Sequence, residues 1–312
     1  MKLLIFYLTD SRRHYTFRHF INLINTSNKK DLFKLLILTN SNDNGFYHDE
    51  LRNVSLNTEV VNVENDNNYL KKVFFANEYA FKHNIPYMMK CDNDIFITAH
   101  TLDYMIDNLD RLNETNLTIG PVLSNGVPTV EYFADGFIDE ESRNILHKKF
   151  IETQFYNRDG ASYLELNNHT VNSNNWNKVN FFNCVKNMSH HYKGVHPVRF
   201  NNDAIEFINQ YIINNKERFF EKQKLSIIDS DNSPYLCNSI YCIRTDVYNK
   251  IITNNSLYVD QFDEVPLNKY AWNNNMKHLF IENGFTIHIT YNWHSNHINY
   301  EEDFCNKLFV NQ

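Results

Sequence analysis

The chain has 312 residues, 42% of them hydrophobic and 21% charged, with a formal net charge of −7 at pH 7. That length suits one elaborated domain better than two full ones, and the apolar share is enough for a sizeable core. The acidic balance argues against nucleic acid as a partner, because phosphate backbones are gripped by clustered Lys and Arg. Aromatic residues reach 15%, a surplus expected mostly in the core. The five cysteines, Cys91, Cys184, Cys237, Cys242 and Cys305, are scattered and lack zinc-ribbon or C-x-x-C spacing. They are expected as reduced, buried thiols in a cytoplasmic setting. Met1 to Thr9 is apolar but too short for a secretory peptide, and no stretch has the length of a membrane span.

The first third alternates strands and helices. Leu3 to Leu8 is a continuous apolar run, the signature of a strand buried on both faces. Thr16 to Ile24 reads as a helix, Phe33 to Leu38 as a second buried strand and Glu59 to Val63 as a third. Asn67 to His83 has the spacing of an amphipathic helix. Tyr87 to Met89 is a fourth strand, Thr101 to Leu112 a helix with Thr101 as N-cap, and Leu117 to Val122 a fifth strand. Further on, Pro128 to Thr153, Ala204 to Lys222, Asp246 to Ile252 and Leu267 to Asn283 read as helices. Ser239 to Ile243 and Phe285 to Thr290 read as strands. This order predicts an α/β fold with a mostly parallel sheet flanked by helices, in one domain over 1–312. Ligands of such sheets bind at the carboxyl ends of the strands.

One such end carries Cys91-Asp92-Asn93-Asp94. In an extended turn, residues at i and i+2 point to the same side. Asp92 and Asp94 could therefore ligate Mg²⁺ or Mn²⁺ together and leave positions open for phosphate oxygens. The bland alternative is an acidic turn that solvates a loop, and a bare D-x-D occurs often by chance. Its position after an apolar strand, and before Ile95-Phe96-Ile97, favours the metal.

The segment Tyr87-Met-Met-Lys-Cys-Asp-Asn-Asp-Ile-Phe-Ile97 resembles the D-x-D segment of GT-A glycosyltransferases, the nucleotide-diphospho-sugar transferase superfamily. The resemblance extends back to Met1 and implies a Rossmann-like GT-A sheet. It implies that residues 1–126 bind the nucleotide sugar, and that 127–312 bind the acceptor and complete the metal shell. On that reading Thr9, Asp10 and Arg12 stand at the base-binding turn, and Asn40 ends the second strand beside the nucleotide. Lys72 and Asn77 stand on the helix that contacts the donor. Asp92, Asn93 and Asp94 face the diphosphate with Mn²⁺ or Mg²⁺. Gln261-Phe-Asp-Glu-Val-Pro-Leu267 resembles the family's acidic motif, so Glu264, or Asp263 beside it, would be the base for an inverting transfer. Charge at a helix start is the competing reading there. His297 or His294, after the last strand, would be the further metal ligand. The implied partners are a nucleotide-diphosphate sugar and a glycan or other hydroxyl acceptor.

Three rivals compete with this reading. A phosphohydrolase using Asp92 as nucleophile would want Thr or Val where Phe96 stands, and would place its motif near the first strand. A sugar nucleotidyltransferase would want a Gly-rich loop after the first strand, yet Thr9 to His14 contains no glycine. A non-catalytic nucleotide-sugar or glycan-binding protein could keep both aspartates and lose the base.

Overall fold

The computed structural model describes residues 1–9, 13–39, 44–63, 69–126, 129–151, 198, 201–228, 236–237, 239–254, 264–289 and 298–309. Apolar runs become strands whose side chains are buried on both faces of the sheet. β1 (Leu3–Leu8) is buried at every position, and β2 (Phe33–Thr39) at all but Lys34. Between them lies α1 (His14–Asn25), which buries Phe17, Phe20, Ile21 and Ile24. Each such side chain contributes on the order of 1.5–3 kcal/mol by leaving water. α2 (Asn44–Leu51), β3 (Thr58–Asn62) and α3 (Tyr69–Lys82) follow. The centre of the sheet is β4 (Tyr87–Asp92), continued after a two-residue turn by β5 (Ile95–Ile97). α4 (Ala99–Asp107) and β6 (Asn116–Leu123) complete the first part.

The later elements are α5 (Val130–Phe137), α6 (Glu140–Ile151), α7 (Asn202–Asn214), α8 (Lys216–Phe220), β7 (Ser226–Ile227) and β8 (Ile240–Arg244). They end with α9 (Thr245–Thr253), α10 (Glu264–Asn273), β9 (Lys277–His288) and α11 (Ile298–Phe309). The strands form one sheet in the order β3-β2-β1-β4-β8-β6-β9-β5, with β7 beside β9. β3, β2, β1 and β4 run parallel, as do β6 and β9, while β8 enters antiparallel between β4 and β6. This is the expected Rossmann-like, mostly parallel α/β arrangement with helices on both faces. Two apolar layers fill those faces. One joins Tyr7, Met89 and Cys91 to α1 and α4; the other joins Leu4, Phe6 and Met88 to α3 and α9. No helix among the described residues is long and apolar enough to cross a membrane.

Several boundaries differ from the sequence expectation. The helix expected from Leu267 to Asn283 stops at Asn273, and Lys277 already opens β9. The stop is the asparagine run: Asn275 takes a left-handed φ of 52°, which Asn tolerates, and Met276 N–H closes the end on Ala271 O. The N-cap of α4 is Thr98, whose side chain accepts from Thr101 N–H, so Thr101 is inside the helix and not its cap. The stretches at 128–153 and 204–222 each hold two helices rather than one. α2, β5, β7 and α11 are absent from the elements that the sequence predicts.

β9 is irregular in a way that shapes the site. Its register against β6 jumps from Ile281 opposite Pro121 to Phe285 opposite Val122, so Glu282, Asn283 and Gly284 are looped out of that pairing. Asn283 sits at φ 59°. A Cβ on Gly284 would lie 2.6 Å from Cγ2 of Ile281, so this position takes no side chain.

Candidate functional site

The carboxyl ends of β1, β4, β6 and β9 converge around the Asp92-Asn93-Asp94 turn. The end of β4 is tied to β8 through Asp92 N–H to Ser239 O at 3.0 Å. The turn is tied to β9 through Ile289 N–H to Asp94 O at 2.9 Å. Tyr7, at the end of β1, donates to Asn93 O at 3.3 Å. The turn is thus held from both sides by backbone and strand-end contacts.

The two carboxylates have separate partners. Asp92 accepts from the Lys90 ammonium with both oxygens, at 2.9 and 3.0 Å. Asp94 faces His288, with Oδ2 3.4 Å from Nε2. Asn93 and Asp94 form a turn rather than extended chain, so the i, i+2 argument from a regular strand does not govern this pair. Burial alone would raise the Asp94 carboxyl, but the charge and hydrogen bond of His288, with Arg13 further off, outweigh it and hold Asp94 well below the usual range. Burial works against a charged His288 ring, yet Asp94 raises its pKa above the ordinary value.

His288 is the functional candidate that sequence reasoning missed. The sequence places it only within a final strand, and the family resemblance implies a metal role for His294 or His297 beyond it. Its placement is non-local: the loop in β9 and the end of β6 present it to the turn. Asn125 fixes its ring. The Asn125 amide donates Nδ2–H to His288 O at 2.9 Å, so Asn125 Oδ1 faces Nδ1 at 2.5 Å, and Nδ1 must carry a proton. Ser124 Oγ accepts from His288 N–H at 3.2 Å and completes the clamp. Nε2 is left as the atom that meets Asp94. Two acceptor atoms opposed across 3.4 Å call for a cation, either a proton on Nε2 or a metal ion. A histidine whose other nitrogen is held by an amide oxygen is the arrangement of a metal ligand. His288 Nε2 and Asp94 Oδ2 therefore offer one nitrogen and one oxygen that would suit a divalent cation as two protein ligands. Among the described residues no group of three or more His, Cys, Asp or Glu is gathered around one point.

The remaining expected residues divide as follows. Thr9 is buried; its hydroxyl bonds Tyr47 Oη at 2.8 Å, and its carbonyl accepts from the Lys72 ammonium at 2.7 Å. Thr9 and Lys72 thus brace the end of β1 beside the turn. Asn77 is turned elsewhere, donating to Asn249 Oδ1 of α9 at 2.8 Å. Asn93 accepts from Arg13 through Oδ1 at 3.3 Å. Arg13 also grips the buried Glu301 of α11 bidentately at 2.8 and 3.1 Å, with Tyr15 donating to the same carboxylate at 3.0 Å. Glu264 opens α10, and its carbonyl accepts from Asn268 Nδ2 at 2.8 Å. Asn268 also pairs with both backbone groups of Leu236, which ties α10 to the segment leading into β8. Asp10, Arg12, Asn40, Asp263, His294 and His297 lie outside the described residues. The four described cysteines are buried, and none forms a disulfide; Cys184 lies outside the described residues.

No known protein family and no curated protein matches the chain. Among solved structures, Staphylococcus aureus TarS is similar at 20% identity over 42% of this chain and 40% of that one, with a TM-score of 0.35. TarS in complex with UDP-GlcNAc gives the same score. A cytidylyltransferase from Leptospira borgpetersenii is similar at 13% identity over 39% of this chain and 54% of that one, with a TM-score of 0.32. The 4-diphosphocytidyl-2C-methyl-D-erythritol synthase of Anaerococcus prevotii is similar at 11% identity over 54% and 82%, also at 0.32. The chain spans less than two thirds of the length of the first two proteins. Likenesses this partial carry no functional inference, which rests instead on the residues of the site.

Proposed function

We propose that this chain is a metal-dependent glycosyltransferase that moves a sugar from a nucleotide-diphosphate donor to a hydroxyl acceptor with inversion. The observation that carries the proposal is the Asp92-Asn93-Asp94 turn at the carboxyl end of the central parallel strands, with His288 Nε2 presented to Asp94. Ligands of parallel sheets bind at that end. Asp94 and His288 would hold Mn²⁺ or Mg²⁺. A divalent cation there would neutralise charge on the diphosphate leaving group. Thr9 and Lys72 form the wall against which the donor lies, with Asp10, Arg12 and Asn40 toward the base and ribose. Glu264, or Asp263, takes the proton from the acceptor hydroxyl oxygen as that oxygen attacks the sugar carbon. His294 and His297 remain candidates for a further ligand.

A second reading has one observation in its favour. Three described carboxylates around the turn already have internal counter-charges: Lys90 for Asp92, His288 for Asp94 and Arg13 for Glu301. A site neutralised this way suits a non-catalytic nucleotide-sugar or glycan-binding protein. The two readings separate on turnover that is lost in Glu264→Gln.

The first test is thermal unfolding with UDP, GDP, CDP and dTDP, each with and without Mn²⁺. A ligand at ~100 times its dissociation constant adds about 2.7 kcal/mol. For a chain of this size each kcal/mol moves the midpoint by roughly 2–4 °C. A shift with one nucleotide that requires Mn²⁺ is expected and identifies the base. No shift with any of the four refutes the donor site.

A further inference from the structure

Lys90 has a fully buried side chain in the middle of the sheet. Its registered neighbours are Phe6 on β1 and Tyr241 on β8, both wholly buried, and the ring of Tyr69 lies 5.1 Å from its ammonium. The strand pattern at this position asks for an apolar residue. Lysine is almost never fully buried unless paired, and taking an ammonium out of water is costly. Buried ion pairs are weak evidence for stability, since apolar replacements are often neutral or stabilising. Packing alone therefore does not explain a lysine here.

What Lys90 does is aim Asp92. The two side chains project from the same face of β4, two residues apart, toward α3. The ammonium holds both carboxylate oxygens, and Asp92 stays 26% exposed, so it is oriented without being covered. By holding both oxygens from one side, the ammonium fixes the carboxylate against rotation about its side-chain bonds and keeps it on that face. We infer that Lys90 is a positioning residue for the donor site, an internal cation that presets Asp92 before ligand arrives. This rests on the proposed reading of the turn as a nucleotide-diphosphate site.

The test compares wild type, Lys90→Met and Lys90→Met/Asp92→Asn. Calorimetric binding is measured with whichever of UDP, GDP, CDP or dTDP the wild type takes with Mn²⁺, alongside urea unfolding. Lys90→Met is expected to keep a single cooperative unfolding transition, at a urea midpoint lowered because Asp92 loses its partner. It should bind the nucleotide more weakly on the order of tenfold, the size of one lost charge-assisted hydrogen bond. The double variant should bind no worse than Lys90→Met, because Asp92 is already out of place. Wild-type affinity in Lys90→Met overturns the inference. So does a further loss of comparable size in the double variant, since Asp92 would then be working without Lys90. Loss of cooperative unfolding in Lys90→Met would make Lys90 a structural residue and overturn it as well. Absence of nucleotide binding by the wild type refutes the donor-site reading itself, and this inference with it.

Discussion

Replacing His278 by Gln should flatten the acid side of this protein's stability profile. His278 lies in β9, 2% exposed, with Nδ1 bonded to Thr118 Oγ1 at 2.8 Å. Burial lowers its pKa from 6.5 to about 3. Below pH 6.5 the unfolded chain takes up a proton that the folded chain refuses until about pH 3. The stabilising effect of the neutral ring is therefore complete above 6.5 and is lost progressively as the pH falls toward 3. Integrated over that window, folding should be about 2 kcal/mol weaker at pH 5 than at pH 7 from this one group. The assay is urea unfolding of wild type and His278→Gln at both pH values, followed by circular dichroism. Contributions from every other group, including the opposite-signed one of His288, cancel in the comparison. The wild type should lose about 2 kcal/mol more than the variant between pH 7 and pH 5. Equal losses in the two proteins would refute the reasoning, because His278 would then titrate freely in the folded state.

Other outcomes follow from the site. Asn125→Ala frees the His288 ring and should weaken Mn²⁺ binding by about 10–100-fold, as removal of a ligand's outer partner does elsewhere; paramagnetic titration of Mn²⁺ reads this, and unchanged affinity would remove His288 from the metal shell. Glu264→Gln should cut turnover by roughly 10²–10⁴-fold while leaving the nucleotide-dependent thermal shift intact. Retained turnover would move the base to Asp263 or to another residue. Arg13→Lys keeps the charge but breaks the two-pronged grip on Glu301 and the bond to Asn93. A cost of about 1–3 kcal/mol is expected, seen as a lower thermal midpoint.

The strands that position the site were legible because each is determined by its own residues. β1 is a continuous apolar run and β2 is one apart from Lys34 and its terminal Thr39, and a strand buried on both faces has nothing else to be. The placement of Asp92 and Asp94 at the end of β4 followed from the same reasoning. β9 was not legible in the same way. Leu267 to Asn283 keeps helix-like apolar spacing across an asparagine turn, and only the pairing of Lys277 to His288 with β6 makes its second half a strand.

Local sequence thus determined the first strands, the parallel core they form and the acidic turn at its carboxyl end. The tertiary structure alone decided what Asp94 meets. Lys90 pairs with Asp92 because both leave the same face of β4, a relation the strand period already contains, while His288 reaches Asp94 because β9 pairs with β6 and loops out three residues. Helix and strand preferences act over a few neighbours along the chain. The contact between His288 and Asp94 acts through space between strands distant in sequence, so no periodicity records it.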